Sequence, residues 1–312
     1  MMKGKDLLAI QDLSFGEFAL IMEKTKKLKK LQKDGIAHKL MEGKTLAMIF
    51  HKASTRTRVS FEVGFSHLGG HALYLDKEST QMGRGEPIKD TARVLSRYVD
   101  GIMIRTFSQS IIDELAEYAS VPVINGLSDY AHPCQALADI FTVSEKFENL
   151  KERKFVFIGD GNNMANSLMF ACAKSGMDIT LCCPEGYRPD DKTIAAAKLV
   201  AKEIGSEVEV EADPSKAVLG ADVLYTDVWA SMGQESESQK RMKDLHNYKI
   251  DEKLLSLANK DCIVMHCLPA HRGEEIEDSV MEGSHSAIFD EAENRLHVQK
   301  AVMALLMSDK EF

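Results

Sequence analysis

No two of the six cysteines, Cys134, Cys172, Cys182, Cys183, Cys262 and Cys267, stand in a C-x-x-C pair. That spacing argues against a structural zinc site, and in a reducing compartment most of these thiols read as small buried hydrophobes. Positive charge is also in deficit. Lys and Arg total 39 against 48 Asp and Glu, a net charge of −9, which argues against nucleic acid or an anionic membrane as the main partner. Any basic site must therefore be local and concave. No stretch approaches the ~18 apolar residues of a membrane span, and Met1-Met2-Lys3-Gly4-Lys5-Asp6 leads into mixed sequence with no apolar signal core. The expected location is cytoplasmic. The chain also lacks a G-x-x-x-x-G-K-[ST] loop, a low-complexity tract and a short-period repeat.

What is present is a globular composition, 44% hydrophobic, in a chain of 312 residues, long enough for about two domains. Short β-rich runs at 45–50, 71–75, 101–106 and 121–127 alternate with helical segments. The rhythm returns at 154–159, 178–183, 207–211, 221–226 and 261–268. Near-continuously apolar strands separated by helices imply an α/β protein with two doubly wound domains, each built on a parallel sheet covered on both faces. The segment 132–150 reads as a long helix ending in a charged stretch at 148–154, where the junction is expected. The predicted boundaries are 1–148 for the first domain and 149–291 for the second. An amphipathic stretch at 291–307 is expected to return to the first domain, which would then include about 292–312.

In open α/β sheets, ligands bind outside the carboxyl ends of the strands. The chemistry-bearing residues collect there. Ser54-Thr55-Arg56-Thr57-Arg58 follows the first strand and opens a helix, where unpaired N–H groups and the positive end of the helix dipole attract an anion. Arg56 and Arg58 can each donate bidentate bonds to phosphate or carboxylate, and the hydroxyls add neutral donors. A compact phosphorylated ligand is expected. Arg105 ends another strand, His132-Pro133-Cys134-Gln135 starts a helix, Asp227 ends a third strand and Cys267 a fourth. A cleft between the two domains is expected to gather them.

Together with Asp227-Val228-Trp229-Ala230-Ser231-Met232-Gly233 and His266-Cys267-Leu268-Pro269, these motifs resemble those of the carbamoyltransferases, specifically the ornithine carbamoyltransferase family, in the family's order from about Thr45 to Arg295. The resemblance implies transfer of the carbamoyl group of carbamoyl phosphate to the δ-amine of L-ornithine, giving L-citrulline and phosphate. It implies that Ser54, Thr55, Arg56 and Thr57 hold the phosphate, and that Arg105, Thr57 and His132 surround the carbonyl oxygen as an oxyanion hole. Gln135, the backbone carbonyls of Cys267 and Leu268, and Arg295 are expected around the carbamoyl amide and phosphate. Gln81, in the polar loop 76–87, is expected to reach carbamoyl phosphate in a neighbouring subunit's site. Composite sites of that kind imply a homotrimer or a higher multiple of it.

For the second substrate, the resemblance assigns Asp227 to the α-ammonium of an amino acid, and Asn163 with the backbone of Ser231 and Met232 to its α-carboxylate. Arg105, His132, Cys267 and Asp227 are the expected catalytic group. Cys267 is the family's usual nominee for proton acceptor, although the leaving phosphate can also take the proton. No cofactor and no metal are expected. The sequence leaves biosynthesis or breakdown of arginine undecided.

Rival readings fare less well. Gly159-Asp160-Gly161 after a strand looks like part of a dinucleotide fingerprint, but Met164 stands where the third glycine belongs. A binding protein that has lost turnover would be expected to show a substituted catalytic position, and none is found. Putrescine has no carboxylate for Asn163 and Ser231-Met232 to read, and acylated ornithines lack the α-ammonium for Asp227.

Overall fold

The computed structural model describes residues 2–78, 80–230 and 235–312, with the side chains of Gly83, Arg84 and Glu235 left aside. By internal contacts the chain forms two compact units, one of residues 1–141 with 294–312 and one of residues 142–293.

The first unit carries β1 (Thr45–Phe50), β2 (His71–Asp76), β3 (Gly101–Arg105) and β4 (Val123–Leu127). They form a wholly parallel sheet in the order β2-β1-β3-β4. β1 and β3 are buried almost throughout, as apolar runs covered on two faces must be. The chain leaves β1 toward β2 on one side and then crosses to β3 on the other. The ends of β1 and β3 therefore flank a topological switch point, the place where such sheets bind ligands. In register, Phe50 lies opposite Arg105, and the pairing shifts between Ile104 and Arg105, so that Arg105 faces Leu127.

The second unit repeats the plan with β5 (Lys154–Ile158), β6 (Asp178–Cys182), β7 (Val208–Val210), β8 (Val223–Thr226) and β9 (Ile263–His266). All neighbours run parallel in the order β7-β6-β5-β8-β9, which puts the switch point between β5 and β8. Ile158, Thr226 and His266 sit side by side in adjacent strands, so the next residues along each strand, Gly159, Asp227 and Cys267, emerge together.

Two helices depart from expectation. The one anticipated over 132–150 runs Pro133–Lys146, and the last spans Ile288–Met307. The sequence pattern of the last helix is amphipathic, yet the helix buries Glu291, Asn294, Arg295, His297, Gln299 and Lys300. Specific partners make this tolerable: Lys29 donates to Asn294 at 2.7 Å, and Lys300 contacts Gln32 at 2.5 Å and His38 at 3.0 Å. Burial pulls the Lys300 amine down to about 8. Within the first unit, an added Cβ on Gly64 would stand 3.2 Å from Lys300, 3.3 Å from Leu296 and 3.4 Å from Met303, so this helix packs closely there, as anticipated.

Candidate active site

In the first unit, Ser54 caps the helix Thr55–His67. Its backbone is extended and its side-chain oxygen accepts the N–H of Thr57 at 3.2 Å, leaving the other first-turn N–H groups to an incoming anion. Thr57 is buried, and its hydroxyl receives a bond from Arg295 Nη2 at 3.1 Å. Arg295 Nη1 donates to Gln135 Oε1 at 2.5 Å, and Gln135 Nε2 donates to Asp139 at 2.7 Å. One chain of bonds thus ties together the phosphate-type helix start, the helix Pro133–Lys146 and the last helix. Asp139 was not anticipated, although its position one turn after Gln135 is the signal that would have exposed it.

His132 precedes Pro133, and its carbonyl accepts the first N–H groups of that helix at 3.1 and 3.2 Å. Its ring is buried. Burial first, then Arg295, Arg105 and Arg56, push the imidazole well below its usual range, so it is neutral at pH 7. A neutral imidazole keeps one N–H, which makes His132 a hydrogen-bond donor and not an acid. Between the depressed folded value and the ordinary 6.5, the unfolded chain binds the extra proton. Stability should therefore fall as pH drops below about 6.5, and His132→Gln should flatten that part of a denaturation-versus-pH curve. An unchanged slope would remove His132 as its source.

Not every hydroxyl and guanidinium of the sequence cluster converges. Arg58 turns outward, 3.4 Å from Glu62 and with its guanidinium 3.8 Å from the centre of the Tyr74 ring. Two residues apart on a helix, Arg56 and Arg58 must point different ways, so the capacity of Arg58 to donate to an anion is spent on the outer face beside Glu62. Thr55 lines the same outer hollow as Arg58 and Glu62. Gln81 is exposed at the start of a short turn of helix, Gln81–Arg84.

In the second unit, Asp227 is buried and accepts three hydrogen bonds, two at Oδ1 and one at Oδ2. Its Oδ1 accepts from Cys267 Sγ at 3.0 Å and from the Val228 N–H at 2.8 Å, and its Oδ2 accepts from Asn162 Nδ2 at 2.8 Å. Asn162 was missed by sequence reasoning. It is the cap of the helix Asn163–Ser175, its Oδ1 taking the N–H of Met164 at 2.8 Å, and Asp-Gly-Asn-Asn before an apolar run was the available signal. Asn163 begins that helix, where N–H groups favour a carboxylate. Ser231 and Met232, expected beside it, lie outside the described residues.

The Gly159-Asp160-Gly161 turn is explained by packing. A Cβ on Gly161 would stand 2.3 Å from Pro189 Cδ and 2.7 Å from the Tyr187 carbonyl, which already accepts the Gly161 N–H at 2.7 Å. Asp160 pairs with Arg241 at 2.6 Å, while burial raises its carboxyl above the usual range. Gly161→Ala should therefore destabilise the protein by about 1–3 kcal/mol, the usual cost of overpacking, because backbone would have to move. Denaturant unfolding with no change in midpoint would show that the turn yields freely.

The Cys267 turn is held from behind. Leu268 adopts a left-handed φ of 57°, and its N–H donates to His266 Nδ1 at 2.9 Å, which fixes the other ring nitrogen, Nε2, as donor to the buried Glu275 at 3.0 Å. Asp227, His266 and Cys267 are close enough to share a cation, but these internal bonds already occupy the atoms that would ligate it.

The two units are both parallel α/β domains, each with its chemistry-bearing residues at a sheet switch point: an arginine-rich cluster in the first and an Asp-Cys-Asn cluster in the second. Comparison with known families is more specific. Residues 5–145 match the carbamoyl-P binding domain of aspartate/ornithine carbamoyltransferase, and residues 151–306 match the Asp/Orn binding domain of the same family. The chain belongs to the aspartate/ornithine carbamoyltransferase family. It is 57% identical over 306 residues to the ornithine carbamoyltransferase of Pyrococcus abyssi, covering 98% of this chain and 96% of that protein. Its identity to the anabolic enzyme of Pyrococcus furiosus is 55% over 309 residues, covering 99% and 98% of the two chains. The solved structure of ornithine carbamoyltransferase from Pyrococcus furiosus superposes with a TM-score of 0.96 and covers 99% of both chains.

Proposed function

We infer that this chain transfers the carbamoyl group of carbamoyl phosphate to the δ-amine of L-ornithine, releasing L-citrulline and phosphate. The observation that carries the reading is full-length identity of 55–57% to proteins named ornithine carbamoyltransferase, with both family domains present.

The residue roles follow from the chemistry of each pocket. Arg56 and the first-turn N–H groups of the Ser54-capped helix take the phosphate. Arg105, Thr57 and neutral His132 donate to the carbonyl oxygen, which gains charge as the amine attacks the carbamoyl carbon. We assign Gln135 and the backbone carbonyls of Cys267 and Leu268 to the carbamoyl amide, as acceptors for its N–H groups. Asp227 takes the α-ammonium of ornithine, and Asn163 with Ser231 and Met232 takes its α-carboxylate. A carboxylate only accepts, so the contact of Cys267 with Asp227 makes the sulfur a thiol donor, which orients the amine. Nitrogen forms its bond to the carbamoyl carbon, the carbon–oxygen bond to phosphate breaks, and the departing phosphate takes the amine's proton.

Among the described residues no helix is long and apolar enough to cross a membrane. We assign the chain to the cytoplasm and to a homotrimer or a multiple of one, with the exposed Gln81 serving a neighbouring subunit. Incubation with carbon-labelled carbamoyl phosphate and L-ornithine should give labelled citrulline and one phosphate per citrulline. Phosphate release without label transfer would overturn the reading.

A further inference from the structure

We propose that His271, Glu274 and Glu275 form a binding site for a divalent first-row transition cation, outside the residues that serve the carbamoyl transfer. These residues lie on one tight turn. The Glu274 N–H bonds to the His271 carbonyl at 2.9 Å, and Gly273, with φ of 90°, bonds through its N–H to Ile276 at 2.8 Å. One nitrogen or oxygen from each of the three side chains lies within 4.8 Å of the others.

The distances fit a cation better than they fit hydrogen bonds. His271 Nδ1 stands 3.8 Å from Glu274 Oε2 and 3.7 Å from Glu275 Oε2, both too far for a hydrogen bond. Two tetrahedral ligands of a metal held at about 2.0–2.2 Å are separated by roughly 3.4 Å, which small side-chain rotations would reach here.

The second observation is the state of Glu275. Its side chain is 0% exposed. Oε1 is satisfied twice, by His266 Nε2 at 3.0 Å and by the His271 N–H at 2.6 Å, whereas Oε2 is buried with no hydrogen-bond partner. Native structures rarely leave a buried carboxylate oxygen in that condition, because charged groups so placed are paired or coordinate metals. Arg272, the nearest cation in sequence, is turned away to Asp278 and Glu282. Among the described residues, neither Glu274 nor Glu275 has a lysine or arginine partner, so two carboxylates face one imidazole.

One imidazole nitrogen and two carboxylate oxygens suit zinc, cobalt, nickel or manganese, with remaining positions left to water. The imidazole must be neutral to ligate, so affinity should rise with pH. Glu275 also joins this site to the active-site turn, because its other oxygen holds His266 and His266 holds Leu268.

The test is Zn²⁺ binding to the full assembled protein after chelator treatment, measured by calorimetry. A Cys267→Ser background removes the thiol that would bind zinc on its own account. That protein should take up one Zn²⁺ per chain at micromolar metal. Adding either His271→Ala or Glu274→Gln should weaken uptake by roughly 100-fold or more, since even the outer partners of metal ligands contribute about 10–100-fold. His271 is 49% and Glu274 38% exposed at the side chain, so neither change threatens folding. Absence of Zn²⁺ uptake by the Cys267→Ser protein, or uptake unchanged by His271→Ala, would overturn the proposal.

Discussion

Arg105→Lys is expected to lower kcat for citrulline formation by on the order of 10²- to 10³-fold, the loss typical of removing one oxyanion donor. The backbone around Arg105 is fixed: it is the last residue of β3, opposite Phe50, and its carbonyl accepts the His51 N–H at 2.8 Å. Thr106 beyond it is buried and lies 2.9 Å from the His51 ring. Lysine would keep the charge and the strand but replace a planar fork with a single mobile ammonium. The loss should therefore fall on kcat, with little change in the affinity of an ornithine analogue, because the charge is kept and the donor that is lost serves the carbonyl oxygen of the other substrate. A fall of less than about tenfold would take Arg105 out of the carbonyl pocket.

Asp227→Asn should weaken binding of norvaline, an ornithine analogue without the δ-amine, by about 10- to 150-fold in the presence of carbamoyl phosphate. A hydrogen bond to a charged partner is worth roughly 1.5–3 kcal/mol, and the α-ammonium would lose that partner. The substitution also disturbs the free protein. Asn162 presents its Nδ2 donor to Asp227, and its amide cannot flip because its Oδ1 caps Met164. An asparagine amide at 227 that keeps its oxygen on Val228 and Cys267 would set donor against donor, costing about 1–3 kcal/mol of stability as well. Affinity and thermal midpoint should thus fall together, while carbamoyl phosphate affinity stays within about twofold. Unchanged norvaline affinity would show that Asp227 does not read the α-ammonium.

The alternation of apolar strands with helices made the fold legible from sequence: among the described residues, the nine expected strands form in two parallel sheets. Strand ends were legible for the same reason, since ligands collect at the carboxyl edge of such sheets. The register adds what periodicity cannot supply, namely that Thr226 and His266 are partners and that Asp227 and Cys267 therefore touch. Buried polar bonding was the least legible part. The last helix looked amphipathic because Arg295 and Lys300 are ordinarily solvated, and only the positions of Gln135, Thr57, Gln32 and His38 show why they are buried. The outward turn of Arg58 was not legible either, since a motif read as a string gives no account of which way a helix turns its side chains. Asn162 and Glu275 act through Asp227 and His266, and support of that kind leaves no periodic trace.

The most direct measurement of the central claim is carbamoyl transfer by the purified protein to L-ornithine, putrescine, N-acetylornithine and aspartate, offered in parallel with carbamoyl phosphate. The α-ammonium and α-carboxylate contacts predict turnover with ornithine at least about tenfold above putrescine and N-acetylornithine, each of which lacks one charged contact worth roughly 1.5–3 kcal/mol, while aspartate keeps both charges but has no δ-amine to carbamoylate. Equal or faster carbamoylation of putrescine, N-acetylornithine or aspartate would contradict the account.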